Sequence, residues 1–463
     1  MTHIGTSIKW FRAQANYVLG RYLNSILLRS GSWYLGATII QRGLNFFSIV
    51  LFTRLLTTEQ FGTVSIFTPW LTIFAATITL NLYSAATPGR HDFNDEDFRK
   101  FVSAVNVLGF LVSISALLMV VIVPDSITQS VFDLNKLYLI IAIVIAAFEL
   151  PINTTFTAWQ MRYQYGIYCV VSSLYALAKI VLSYVMIVLS LQLLNGDRAL
   201  ERVAGIALSS LVLGSYLLGR SILKGKTLID ISYWRYALRY SIPLIPHVLS
   251  GLILAQFDRI LIDRYVGRSE AGLYSFAYQI GDLVYILWVA SNAAWVPWFF
   301  EQAEKKSHSL IRTRATQYVW GFAGLTALAI LIGPSFVTWI APGQYWVTKM
   351  VVPIIMCGNF FIMGYSLYAN VEFYEKKTIY VSAGTALAAL ANVLLNIWLL
   401  PIFGYVVAAW TTLMSYFLLF IFHAFTVKYR LKSVDDVNFR LILSLGTGLV
   451  VLSTAVYIIA SPH

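Results

Sequence analysis

Apolar runs long enough to cross a bilayer recur along almost the whole chain, and few folds survive that constraint. A spanning helix needs about 20 predominantly apolar residues. By that criterion spans fall at about 32–53, 62–86, 101–123, 136–158, 166–192 and 202–220 in the first half. The second half gives about 236–261, 271–297, 316–340, 347–371, 377–400 and 404–427, and one more run follows at 439–460. With 59% hydrophobic and 12% charged residues in 463, the chain is far more apolar than a soluble core requires. The expected fold class is all-α: a polytopic membrane protein of two parallel six-helix lobes with one extra C-terminal helix.

The lobes are expected because the chain echoes itself at a shift of 210 residues. Arg54, Leu56, Gly62 and Ser65 in TRLLTTEQFGTVSIF fall on Arg264, Val266, Gly272 and Ser275 in DRYVGRSEAGLYSFA. Each set closes one apolar run and opens the next, as duplication of a unit would produce. An even number of helices per half makes the copies parallel, related by a pseudo-twofold axis along the membrane normal. The implied segments are 1–31 (amphipathic N-terminal segment), 32–220 (first lobe), 221–239 (linker), 240–428 (second lobe) and 429–463 (accessory helix).

Most of the 33 Lys and Arg residues fall in alternate loops, on the same side as the N-terminus, and this predicts a cytoplasmic N-terminus. The net charge of +12 therefore reads as orientation, not as nucleic-acid binding. In residues 1–31, Lys9, Arg12, Arg21 and Arg29 alternate with Trp10, Phe11, Tyr17 and Leu23, the pattern of a helix lying on the membrane surface. Arg21 and Arg29 interrupt any signal-peptide core. Cys169 and Cys357 each sit inside an apolar run, so neither a disulfide framework nor a CxxC metal site is available.

The stretch 240–280 carries Pro243 and Pro246, then Asp258-Arg259, then Gly267, Gly272, Tyr274 and Ala277. This pattern resembles Wzx-type polysaccharide flippases, in the superfamily of the multidrug/cation antiporters and the lipid II flippase. A second stretch, ANVLLNIWLLPIFGYVVAAWTT, has a similar cadence of Asn392, Asn396, Pro401, Gly404, Ala408, Ala409 and Thr412, with Val407 where the family usually has Gly. The resemblance implies a multi-pass protein of the bacterial inner membrane that moves an undecaprenyl-pyrophosphate-linked oligosaccharide to the periplasmic leaflet by alternating access. It implies a lipid-linked glycan and membrane lipids as partners, with a polymerase and a chain-length regulator of the same pathway. No cofactor or metal is expected beyond H+ or Na+ coupling.

Such a cargo needs a polar cavity. Arg42, Glu149 and Lys179 fall near the middles of the first, fourth and fifth spans, where an ionisable group costs roughly 2.5–3.5 kcal/mol on insertion scales. Arg42 and Lys179 are the candidate pyrophosphate ligands, Arg42 foremost because a guanidinium presents paired donors. The competing reading is a closed Arg42-Glu149-Lys179 network that only fixes packing. Asp282, mid-span without an adjacent cation, joins Glu149 as a candidate for ion coupling, and a protonated, hydrogen-bonded carboxyl is the alternative. Asp258 and Arg259 near the outer end of the seventh span read as a periplasmic gate or a snorkelling pair. Pro243 and Pro246 read as a hinge. Trp288 is the candidate sugar contact, and His247 reads as an interhelical group rather than a switch.

Two rivals remain. A multidrug/cation antiporter of the same fold would want an acidic cavity, whereas Arg42 and Lys179 point to an anion. A membrane enzyme of the same glycan pathway would need a sizeable external catalytic segment, but every expected outer loop is short and no paired acids appear in them.

Overall fold

The computed structural model describes residues 26–193, 196–431 and 437–461. The expected amphipathic segment lies, up to residue 25, outside the described residues. All described regular structure is helical. The first half comprises α1 (Ile26–Leu55), α2 (Thr58–Thr77), α3 (Ala86–Asp92), α4 (Asp95–Ile122), α5 (Asp125–Phe132), α6 (Lys136–Met161), α7 (Tyr165–Leu193) and α8 (Arg198–Gly225). The second half comprises α9 (Ile231–Ser241), α10 (Ile245–Tyr265), α11 (Arg268–Glu304), α12 (His308–Ile340), α13 (Val352–Tyr374), α14 (Thr378–Phe403), α15 (Val407–Phe425) and α16 (Phe439–Ala460).

Among the described residues eleven helices are long and apolar enough to cross a membrane, or twelve with one bent pair. That pair is the expected 62–86 span, which breaks by 48° between α2 and Leu82–Asp92. Leu80 and Asn81 take left-handed φ values of 53° and 50° at the break. The expected first span falls on the 30-residue α1. Caps fix where helices begin. Thr57 and Gln60 form a reciprocal capping box at the start of α2, and Asn94, Asp197 and Asp230 cap α4, α8 and α9, each satisfying backbone donors that would otherwise be orphaned.

Within the first half, α8 packs on α4, α6 and α7, and α1 lies on α7. In the second half the almost wholly buried α13 is surrounded by α11, α12, α15 and α16. The Asn392 and Asn396 motif ties α14 to α15. Asn396 donates to Asn392 (3.1 Å), Thr411 donates to Asn396 (2.7 Å), and Asn392 donates to Thr412 (3.3 Å), all buried. Such bonds hold membrane helices together where no hydrophobic force between helices exists.

The halves meet where α2 packs against α10 and α11. The expected linker 221–239 is largely helical, shared between the end of α8 and α9. That helix is fastened beneath the first half: Trp234 Nε1 donates to the Ala104 carbonyl at 2.8 Å and Tyr236 donates to Asp92 at 2.6 Å. Pro243 lies in a 3-10 turn, Ile242–Leu244, and Pro246 lies in the first turn of α10. The prolines therefore separate two helices instead of kinking one, and Pro in a first turn forfeits no helical hydrogen bond.

Candidate functional site

The two faces of the bundle are called inner and outer here by the orientation that the charge asymmetry predicts. At the outer face Gly62 and Gly272, aligned by the echo in the sequence, face each other. A Cβ on Gly62 would overlap the Arg268 carbonyl oxygen, and one on Gly272 would overlap the Thr58 carbonyl oxygen. The contact is reciprocal at the same shift of 210 residues, as a self-complementary interface requires. Only glycine lets the α2 and α11 backbones approach this closely. Ser269 donates to Thr58 across the seam at 2.7 Å. Arg268 pairs with Asp263 at 2.6 Å and donates to the Asp133 carbonyl, and Arg264 pairs with Asp133 at 3.4 Å. These contacts hold the two halves together at the outer face.

Beneath these contacts a cavity of about 560 Å³ opens between the halves. From the first half it is lined by α2, including Ser65, Thr68 and Pro69, and by Arg202 of α8. The second half contributes Arg259, Ser275, Tyr278, Asp282, Tyr285, Trp288, Tyr365 and Tyr416. Ser65 and Ser275, an equivalent pair of the repeat, face the same space.

Arg202 is the cation that the sequence reading missed, because it fell at the outer edge of the sixth expected span and counted as loop. Its guanidinium carbon lies 4.2 Å from the Phe52 ring and 5.3 Å from the Phe61 ring, and its buried Nη1 has no hydrogen-bond partner among the described residues. Tyr345, in the outer turn Gly343–Met350, is buried against Phe61 and Phe276. Burial pushes its phenol above the usual range, while the nearby Arg202 charge pulls the other way. The signal available in sequence was an arginine one turn inside a helix, with aromatic residues at matching depth on neighbouring helices.

Arg259 is fixed from its own helix. It lies over the Tyr278 ring at 4.5 Å and donates to the Ala255 carbonyl at 2.8 Å and to Asp258 at 3.4 Å. Asp258, 1% exposed, also accepts from Tyr274 at 2.6 Å. The expected gate pair thus lies away from the outer contacts, with Arg259 on the cavity wall and Asp258 behind it. Asp282 and Trp288 are on the same wall, and the Trp288 indole donates to Ser366 at 3.0 Å.

The competing Arg42-Glu149-Lys179 network forms only in its Glu149-Lys179 half. Lys179 pairs with Glu149 at 2.7 Å, with Tyr175 bridging from Glu149 (3.3 Å) to Ser210 (2.7 Å). This cluster lies among α6, α7 and α8, outside the cavity lining, so Lys179 is a neutralised cation. Arg42 makes no ion pair among the described residues and stands 6.0 Å from the Tyr285 ring, at the seam of α1 and α11. His247 is exposed at the start of α10, so it is not an interhelical group. No group of three or more His, Cys, Asp or Glu suited to a metal occurs among the described residues.

A family profile described as polysaccharide biosynthesis protein matches residues 27–302. A Haemophilus influenzae protein named for the Lsg locus is 27% identical over 217 residues, 44% of this chain and 52% of the relative. The chain spans about half the length of the curated relatives it matches. The lipid II flippase MurJ, in an inward closed conformation, superposes with a TM-score of 0.71 at 16% identity over 92% of this chain and 96% of that one. An inward-facing MATE family multidrug transporter of the MOP superfamily gives 0.55 at 14% identity, over 86% and 99%. At these identities the likeness is one of fold.

Proposed function

The chain belongs to the polysaccharide biosynthesis protein family, and from that premise we propose that it flips a lipid-linked oligosaccharide across the inner membrane by alternating access. The cargo is an undecaprenyl-pyrophosphate-linked repeat unit of the O-antigen type, carried from the cytoplasmic to the periplasmic leaflet. The observation that carries this reading is the cavity with one arginine from each half, Arg202 and Arg259, where Asp282 is the one carboxylate of the lining among the described residues and Asp258 pairs with Arg259 from behind the wall. A diphosphate entering a low-dielectric cavity needs such partners. A guanidinium with an unpartnered nitrogen, as at Arg202, has donors to give. The aromatic wall of Tyr278, Tyr285, Trp288 and Tyr365 suits the apolar faces of sugars. A volume of about 560 Å³ is in the range of about 300–1,000 Å³ typical of small-molecule sites. The polyprenyl tail would stay in the bilayer.

The reciprocal glycine contact supports two lobes that part and close about a pseudo-twofold axis. Pro243, at the junction between a helix fastened to the first half and α10, is suited to be the flex point, and Asp282 is the candidate for proton or sodium coupling.

The test uses cells that depend on this protein for surface glycan. Arg202→Gln and Arg259→Gln should insert normally yet leave full-length lipid-linked units on the inner leaflet, and Arg202→Lys should rescue in part because it keeps charge but not paired donors. Wild-type surface glycan in both Gln variants would overturn the assignment. Asp282 in the cavity is what a cation antiporter would use, and on that reading loss of the protein would sensitise cells to cationic drugs without lipid-linked build-up.

A further inference from the structure

A second cavity, of about 480 Å³, lies in the first half at the inner-face ends of α4, α6 and α8. Four cations line it, Arg99, Arg162, Arg220 and Lys224, and no carboxylate does. Arg162 shares Asp95 with Arg90, at 3.0 and 3.1 Å, and its buried Nε has no hydrogen-bond partner among the described residues. Among the described residues Arg99, Arg220 and Lys224 form no ion pair. Orientation alone explains basic residues at this face, but it does not explain why four heads converge on one concave space. Like charges brought together in this way repel, and an anion between them relieves the repulsion.

The walls are held independently of any ligand. Below the pocket Asn106 of α4 accepts from Thr154 of α6 at 2.9 Å and donates to Ser221 of α8 at 3.2 Å, all within the bundle. At the rim Gly225 packs on the α4 backbone, where a Cβ would come 2.5 Å from the Arg99 carbonyl oxygen. The three helices are therefore fixed relative to one another while the charged ends stay open.

We propose that this pocket binds the phosphate groups of an anionic membrane lipid, one carrying two phosphates in its headgroup, apart from the central cavity. The ends of spanning helices lie at headgroup depth, and basic pockets between such helices are sites for this class of lipid. This assignment does not depend on the flippase reading, since it concerns a different cavity and its readout is binding.

The test takes the purified full chain, delipidated in neutral detergent, with cardiolipin, phosphatidylcholine or inorganic pyrophosphate added separately. Native mass spectrometry and thermal unfolding are the readouts. Cardiolipin should be retained and raise the unfolding temperature, phosphatidylcholine should do neither, and salt should weaken the cardiolipin effect. The triple variant Arg99→Gln/Arg220→Gln/Lys224→Gln should bind cardiolipin at least about tenfold more weakly, since it removes three of the four cations of the lining. Should the triple variant be unstable, Arg220→Gln alone should still lower retention. Cardiolipin retention unchanged in these variants, or insensitive to salt, would overturn the site. Pyrophosphate stabilising the wild type while cardiolipin does not would overturn a lipid source in favour of a free anion.

Discussion

Replacing Gly62 with alanine should loosen the outer contact between the halves. The new Cβ meets the Arg268 carbonyl oxygen, a backbone atom that cannot swing aside as a side chain would, so α2 and α11 must separate. Overpacking of this kind costs about 1–3 kcal/mol, and here the cost falls only on the outer-closed state. An equilibrium between closed and open outer faces would then shift by roughly 5- to 150-fold. Ser65 lines the cavity just below that contact, and the native Cys169 and Cys357 are buried, so Ser65→Cys is a low-background reporter. Its labelling by an impermeant maleimide added outside the cell should accelerate within that range in the Gly62→Ala background. Gly272→Ala should act in the same direction because the contact is reciprocal. The double variant should fall short of the product of the two, since both relieve one contact. Labelling unchanged in both single variants, with normal insertion, would refute the idea that this glycine pair holds the outer face shut.

Two further outcomes follow from side-chain pairs that do not line the cavity. Glu149→Gln leaves Lys179 without its carboxylate and should cost about 1–3 kcal/mol, read as a lowered unfolding temperature. Glu149→Gln/Lys179→Met should recover most of that, because removing a whole ion pair often costs little, and it should still transport; a stable but inactive double variant would return the pair to the mechanism. Glu372 of α13 and His423 of α15 are both 0% exposed and 2.9 Å apart. Glu372→Ala should destabilise by about 1–3 kcal/mol, the cost of leaving a buried polar group unpaired, and Glu372→Gln by less because an amide keeps one hydrogen bond. Equal unfolding temperatures for wild type and Glu372→Ala would deny the pair a structural role.

Depth along a membrane helix was legible in the sequence, and azimuth was not. Hydropathy located every spanning segment, with ends up to eight residues off, but not the break at the prolines of the seventh span nor the one at Leu80 and Asn81, where left-handed backbone interrupts an apolar run that gives no warning of it. It also put Arg42, Glu149 and Lys179 correctly near mid-span. Which side of its helix each residue faces is another matter. In water an amphipathic helix declares its buried face through its polar one, but in a bilayer the lipid-facing and protein-facing sides are equally apolar, so the sequence carries little record of rotation. That is why Lys179 was grouped with the cavity when it turns toward Glu149, and why Arg202 was passed over although its side chain reaches inward across Phe52 and Phe61.

The repeat shows the same division. The chain by itself set Gly62 and Gly272, and Ser65 and Ser275, at a common shift of 210 residues, and it determined that the chain is helical and which loops carry the positive charge, because these depend on composition and on spacing along one strand of backbone. Only the tertiary structure decided that the two glycines touch each other and that the two serines share one cavity. It alone assigned Arg202 and Arg259 to that cavity from opposite halves. Those facts arise where two surfaces meet, and the meeting is set by the packing of α2 on α10 and α11, which no single segment encodes.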